Sequence, residues 1–244
     1  MNILIIGATS AIARSVSRLY AVKNSKIFLV ARDELLLQEA AIDLEVRGAK
    51  AVSAAPYDAE NTSDHASAIN SAVEFLGSID IALICHGNLP NQEECQANYE
   101  KAKAAITVNG LSVISLCTEI VNKLREERKG TLAIITSVAG ERGRQPNFVY
   151  GAAKSMVSTY LQGLRGSLLN ENIHIIDIRP GLVDSPMTAQ LEKGPLWSSP
   201  EAIAPTIVKG IGKKKHVIYA PFYWRFIMLA IHVIPEVIFK RIKI

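Results

Sequence analysis

The 244-residue sequence predicts an α/β fold, a doubly wound and mostly parallel sheet in a single domain, ending in an amphipathic helical tail. Three observations carry this. Short apolar runs rich in Ile, Val and Leu alternate with helical patterns almost to the end of the chain. Several runs are apolar at successive positions, as strands covered on both faces require. The first run passes through Gly7 directly into an amphipathic helix, the strand–turn–helix order that opens Rossmann-like folds.

The elements follow in order. Ile3-Leu4-Ile5-Ile6 marks a strand over 2–6, and the apolar spacing after Ser10 predicts a helix over 11–23. KIFLVA gives a strand at 26–31, followed by a helix over 33–47 that Asp33 is able to cap. A strand at 50–55 precedes a helix over 63–76, and IDIALI at 79–84 precedes a long helix over 97–127. Strands at 131–136 and 173–178 flank a helix over 148–170, and a helix over 200–211 leads to a short strand at 216–219. No linker or repeat divides residues 1–220; residues 221–244 form the tail, either part of the same domain or a contact for a membrane or second subunit.

The net charge of +4 is unevenly placed. Residues 209–244 hold eight Lys/Arg against Glu236 alone, while the first 208 residues are net acidic. No aromatic-basic groove pattern accompanies this excess, so nucleic acid is not an expected partner. Three cysteines without metal spacing suit a reducing compartment, and the N-terminus shows no basic segment followed by an apolar one. The expected address is cytoplasmic. The five histidines lack metal-ligand spacing, so no metal site is expected.

The first loop, GATSAIA, tests whether a dinucleotide binds. Such loops use glycines for the tight turn, for close approach to pyrophosphate and for helix packing, while the helix N-terminus faces the phosphates. Gly7 keeps the turn, and Thr9 and Ser10 offer caps or hydroxyls. Ala11 and Ala13 stand where two further glycines are usual, and Ala11 falls where backbone and pyrophosphate meet. The second strand ends in Ala31-Arg32-Asp33, where an acid would read a free 2′-hydroxyl and a guanidinium a 2′-phosphate. Arg32 favours NADP(H), with NAD(H) also admissible; the other reading is a surface arginine at a strand end.

Helix 148–170 places Tyr150 and Lys154 four residues apart on one face. Ser137 lies thirteen residues upstream of Tyr150, at the end of the apolar strand TLAIITS. Tyr99 and Lys103 repeat the spacing, but with His86 at the matching upstream position and polar surroundings, so they read as a solvated pair.

With these residues the chain resembles the short-chain dehydrogenase/reductase family over nearly its whole length. Gly7 to Ala13, Asp58 after the third strand, Asn109, Ser137, Tyr150-x-x-x-Lys154 and RPGLVDSPM at 179–187 fall in that family's order. The resemblance implies a catalytic set of Asn109, Ser137, Tyr150 and Lys154. It implies cofactor contacts from Gly7, Thr9, Ser10, Ala11 and Ile12 in the first loop. Further contacts come from Arg32, Asp58, Ala59, Gly87, Tyr150, Lys154, Pro180, Gly181 and Val183. Within it Ser137 would orient a carbonyl, Asn109 would hold a water, and Lys154 would bond the nicotinamide ribose. Two departures stand out: GxxxAxA replaces GxxxGxG, and Ile84-Cys85-His86-Gly87 replaces Asn-Asn-Ala-Gly.

The chemistry expected is reduction of a ketone, with hydride to carbon and a proton from Tyr150 to oxygen. A free tyrosine has a pKa of about 10, and a lysine within reach should lower it by roughly 1–3 pH units. Alternatives are a soluble reductase of 3-oxoacyl chains or small ketones, and a catalytically silent nucleotide-binding protein. Segment 181–198 reads as a cover over the substrate, with Met187, Leu191, Leu196 and Trp197 as an apolar wall or as ordinary packing.

The end of the chain, VIYAPFYWRFIMLAIHVIPEVIFKRIKI, in its setting after Lys213-Lys214-Lys215, has too short an apolar stretch to span a bilayer. Aromatic residues beside Arg225, with Lys240, Arg241 and Lys243 after, suit an anionic membrane interface; a buried face between subunits of a homo-oligomer is the other reading. The tail is also similar to that of decaprenylphosphoryl 2-keto-pentose reductases, which implies a lipid-linked ketone.

Overall fold

A computed structural model describes residues 1–242 of the chain. Seven parallel strands form one sheet in the order β3-β2-β1-β4-β5-β6-β7. They are β1 (Asn2–Ile6), β2 (Lys26–Ala31), β3 (Ala51–Pro56), β4 (Ile81–Ile84), β5 (Gly130–Ile135), β6 (Ile173–Pro180) and β7 (Val217–Ala220). The order reverses between β1 and β4, where Ile6 lies level with both Val30 and Ile84. Open α/β sheets bind ligands at such a reversal, outside the carboxyl ends of the strands.

The helices cover both faces: α1 (Ala11–Ala21), α2 (Glu34–Val46), α3 (His65–Leu76), α4 (Gln92–Ala97), α5 (Tyr99–Ile106), α6 (Ser112–Glu127), α7 (Phe148–Ser167), α8 (Pro200–Gly212), α9 (Trp224–Val233) and α10 (Glu236–Phe239). Ile3 and Ile5 of β1 pack with Val16, Leu37 and Ile207 on one side of the sheet. Leu4 and Ile6 point the other way, into Ile69, Leu116, Ile120 and Leu161. The period of two therefore serves both faces at once, and this is why the strands read as continuous apolar runs.

The long helix expected over 97–127 is found over Tyr99–Glu127, with a π turn inside it, and a separate short α4 precedes it. The Asn91 side chain caps α4 by accepting from the Glu94 N–H at 3.1 Å, and Asn98 caps α5 by accepting from Glu100 N–H at 2.9 Å. The separate α4 is therefore set by two asparagines whose side chains take backbone protons. Thr107–Leu111 between α5 and α6 is a π-helical turn. Tyr99–Glu127 is the one helix among the described residues long and apolar enough to cross a membrane, and half of its apolar window is buried in the protein.

The tail belongs to the same folded body. Trp224, Met228, Ile231 and Phe239 are buried together with Val138, the residue after Ser137. Arg142 stacks over the Phe239 ring at 3.8 Å and donates to the Ile234 carbonyl at 2.7 Å. Gln145 donates to the Lys240 carbonyl at 3.0 Å. One structural finding corrects the charge reading. Lys213-Lys214-Lys215 precede β7 and α9 follows it, so the lysines sit at the opposite end of that strand from the tail. At the tail itself the described basic residues are Arg225, Lys240 and Arg241; Lys243 lies outside the described residues.

Candidate active site

A cavity of about 390 Å³ lies at the carboxyl ends of the central strands. Each cofactor-contact residue named from the sequence lines it: Gly7, Thr9, Ser10, Ala11, Ile12, Arg32, Asp58, Ala59, Gly87, Tyr150, Lys154, Pro180, Gly181 and Val183. Ser137 lines it as well. Sequence positions 7 to 183 converge because every strand delivers its last residue to the same edge.

Gly7 has φ +75°, and a Cβ there would lie 2.7 Å from the His86 Cα, so the turn closes directly on the end of β4. Ser10 caps α1 by accepting from the Ala13 N–H at 3.2 Å, and its carbonyl accepts from Arg14 N–H. The Ala11 and Ile12 amides open the helix and by position lack intrahelical acceptors, which leaves them for an anion. Ala11 is the first helical residue, where the backbone needs no glycine. The GxxxAxA loop thus keeps the turn and the free N–H groups that phosphate needs.

At the end of β2, Asp33 caps α2 by accepting from the Leu36 N–H at 3.0 Å. Asp33 does not line the cavity. The exposed Arg32 side chain is the group that lines the cavity.

On the other side of the sheet centre, Ser137 Oγ accepts from the Ala139 N–H at 3.0 Å, which leaves its own hydrogen free to donate. Lys154 is 3% exposed and donates to the Ile135 carbonyl at 3.2 Å. Its Nζ stands 5.7 Å from the centre of the Tyr150 ring. Burial pushes Tyr150 up to about 12, with the Ser137 hydroxyl opposing. Burial brings Lys154 down to about 8, opposed by Cys85 and Asp177. The lowered tyrosine expected from its lysine is thus not found: desolvation of the phenolate outweighs an ammonium turned toward a carbonyl.

Asn109 stands behind the cavity wall, 0% exposed in the π turn. It donates to Asn88 Oδ1 at 2.8 Å and to the Ala105 carbonyl at 3.0 Å, and accepts from the Asn88 N–H at 3.1 Å. One amide proton thus braces the loop after β4 that carries Gly87, and the other goes to the helix turn before Asn109, so both are taken by protein groups. His86, at the departure from the family pattern, bonds through Nε2 to Ser112 Oγ at 2.8 Å. Ser112 itself donates to the Val108 carbonyl at 2.8 Å, so the ring nitrogen is the donor to Ser112. Burial lowers His86 to about 3, with Lys154 adding to it, and the ring is neutral.

The cover segment contributes Pro186, Met187, Thr188 and Leu191 to the cavity. Leu196 and Trp197 are not among the lining residues, because Ser198 N–H returns to the Leu182 carbonyl and the turn before it faces outward. Tyr99 is 76% exposed and Lys103 reaches Glu100 at 3.5 Å, the solvated pair expected. Sequence reasoning passed over Arg144 and Asn147, which also line the cavity. Their place, between Ser137 and Tyr150 in the chain, was the available signal.

Residues 1–195 match the family model for short chain dehydrogenases. An uncharacterized oxidoreductase of Mycobacterium tuberculosis is 28% identical over 239 residues, covering 98% of this chain and 96% of its own. A ketoacyl reductase of Nostoc is 25% identical over 220 residues, covering 87% of this chain and 76% of its own. Among solved structures, an actinorhodin polyketide ketoreductase with NADPH superposes with a TM-score of 0.80 at 19% identity, over 89% of this chain and 95% of its own.

Proposed function

The chain is an oxidoreductase belonging to the short-chain dehydrogenase family, and from that premise we propose that it is an NADPH-dependent carbonyl reductase acting on a ketone. One observation carries the proposal: Ser137, Tyr150 and Lys154 line the same cavity as Gly7, Arg32 and the free N-terminus of α1. The dinucleotide, when bound, supplies hydride to the carbonyl carbon. Gly7 and the 9–12 backbone would hold its pyrophosphate, and Arg32 its 2′-phosphate. NADH fits the same cavity without the Arg32 contact.

The remaining chemistry belongs to the protein. Tyr150 is held neutral, the form a proton donor to the carbonyl oxygen needs. Ser137 has one hydrogen free to donate to the same oxygen and so orients the carbonyl. As the phenol gives up its proton, the Lys154 ammonium beside the ring stabilises the phenolate. The cover residues Met187 and Leu191 exclude water from the exchange.

The tail adds a location. Phe222, Phe226, Leu229, Val233, Val237 and Ile238 are exposed, beside exposed Arg225, Lys240 and Arg241. Apolar side chains flanked by cations fit the interface of an anionic membrane. Docking there on the cytoplasmic face would give the cavity a lipid-linked ketone. A homo-oligomer that buries this face is the competing reading.

The deciding experiment follows NADPH fluorescence on titration and NADPH oxidation with a panel of ketones, for the wild type and Tyr150→Phe. Saturable binding by both, with turnover in the variant lower by roughly 10²-fold or more, is expected. Failure to bind NADPH would return the protein to the silent class; undiminished turnover in the variant would remove Tyr150 from its role.

A further inference from the structure

The charges along the cavity are unevenly matched. Its charged lining residues are Arg32, Asp58, Glu60, Arg144 and Lys154. Arg32 follows β2 and both carboxylates follow β3, all beyond β1 from the Tyr150 end. Around Tyr150 the lining is cationic, with Lys154 and Arg144 and no carboxylate.

Other cations of the protein have partners. Arg142 reaches Glu236 at 3.1 Å, Arg179 reaches Asp177 at 2.8 Å, and Lys193 reaches Asp184 at 2.8 Å. Among the described residues Arg144 has no ion pair within 4.0 Å. Its Nε is buried without a hydrogen-bond partner, and so is Oδ1 of its cavity neighbour Asn147. Glu141 acts on Arg144 from a distance: its Oε2 takes the Tyr219 hydroxyl at 3.0 Å, His232 at 3.1 Å and Arg179 at 3.6 Å, and its Oε1 is buried without a partner, but neither oxygen forms an ion pair with Arg144.

A partly desolvated guanidinium without a counter-ion is costly, and an arginine does not escape by losing its proton. The arrangement makes sense when an anion completes it. We infer that Arg144 is a substrate-binding residue that takes an oxyanion, a carboxylate or phosphate, carried by the ketone Tyr150 protonates. The inference rests on the reductase reading and narrows its substrates to acidic ketones. A planar guanidinium grips an oxyanion through two parallel N–H bonds, so one residue both binds and orients.

The test uses two matched pairs with NADPH: levulinate against methyl levulinate, and dihydroxyacetone phosphate against dihydroxyacetone. The anionic member of at least one pair should show kcat/KM about tenfold higher, as expected for a charge-assisted pair. Arg144→Gln should remove that preference by raising KM for the anionic member about tenfold more than for the neutral one. Arg144→Lys should restore part of it. Which pair responds tells carboxylate from phosphate. In parallel, the NADPH-loaded protein is titrated with both anionic probes by calorimetry, which reads binding without turnover. Neutral ketones reduced with no charge preference overturn this inference alone. Equal losses for both members in Arg144→Gln, or no binding of either anion, also overturn it. Failure of NADPH to bind counts instead against the reductase reading.

Discussion

The indole of Trp224 fills the space that a side chain at Gly181 would need: a Cβ there would collide with the indole Nε1. Trp224 comes from the tail and is 3% exposed, while Gly181 follows β6 at the rim of the cavity. The tail therefore backs the cavity rim at Gly181. Trp224→Ala should cost about 3–5 kcal/mol of stability, the range for emptying an aromatic site. It should also weaken NADPH binding, because residues 180–183 lose their backing. Gly181→Ala should destabilise by about 1–3 kcal/mol, since the methyl meets a packed ring. Denaturant unfolding and NADPH fluorescence titration on each variant check both. A Trp224→Ala protein of wild-type stability would mean the ring is dispensable to the rim.

Lys154 gives the site a pH signature. Its folded pKa, about 8, lies below the unfolded value of 10.5. Between those values the unfolded chain binds more protons, so stability rises with pH across that window. The slope from this group reaches at most about 1.4 kcal/mol per pH unit. Lys154→Met should flatten it, as seen in urea unfolding at pH 8 and pH 10. Ketone reduction should run the opposite way, falling above pH 8 as the ammonium beside Tyr150 disappears, whereas Tyr150, at about 12, keeps its proton.

Arg32 and Asp33 are neighbours with separable jobs. Arg32→Ala should weaken NADPH by about 10–100-fold, the worth of a charge-assisted contact, while leaving NADH within about twofold. Asp33→Ala removes the α2 cap and should cost about 1 kcal/mol with the NADPH-to-NADH ratio unchanged. Parallel titrations with both dinucleotides give the answer. If Arg32→Ala weakens both equally, the guanidinium does not read the 2′-phosphate.

Much of this was legible in the sequence. β1 and β2 were read to the residue because runs such as Ile3–Ile6 and Lys26–Ala31 are apolar on both faces. Tyr150, Lys154 and Ser137 could be paired by spacing because a helix face and a strand end fix where they stand. What escaped depends on contacts no spacing encodes. The π turn at Asn109 goes with a side chain that bonds the carbonyl four residues back. The raised Tyr150 pKa comes from burial, which the sequence does not show. The lysines before β7 looked like part of the tail because chain proximity hides the length of the strand between them. Arg144 belongs to no motif in the sequence, and its lack of a partner is visible only in the structure.

The outer face of the tail separates membrane docking from subunit contact. Phe226 and Leu229 are each 63% exposed, on the side of α9 away from the buried Trp224, Met228 and Ile231. Replacing both with glutamate leaves the buried side of the helix untouched, so folding and NADPH affinity should be retained. Deleting residues 221–244 is a poorer test, because it would strip Trp224 from Gly181 and uncover Val138 next to Ser137. On the membrane reading, Phe226→Glu with Leu229→Glu abolishes co-sedimentation with phosphatidylglycerol-containing vesicles. Two buried apolar side chains are worth about 1.5–3 kcal/mol each, and the added charges are repelled by the anionic surface. Raising salt should weaken the wild type's binding without eliminating it, since the apolar part of the contact is not screened. If the wild type ignores the vesicles and the variant changes sedimentation from a larger species to a monomer, the face is a subunit interface and the lipid-linked substrate loses its support.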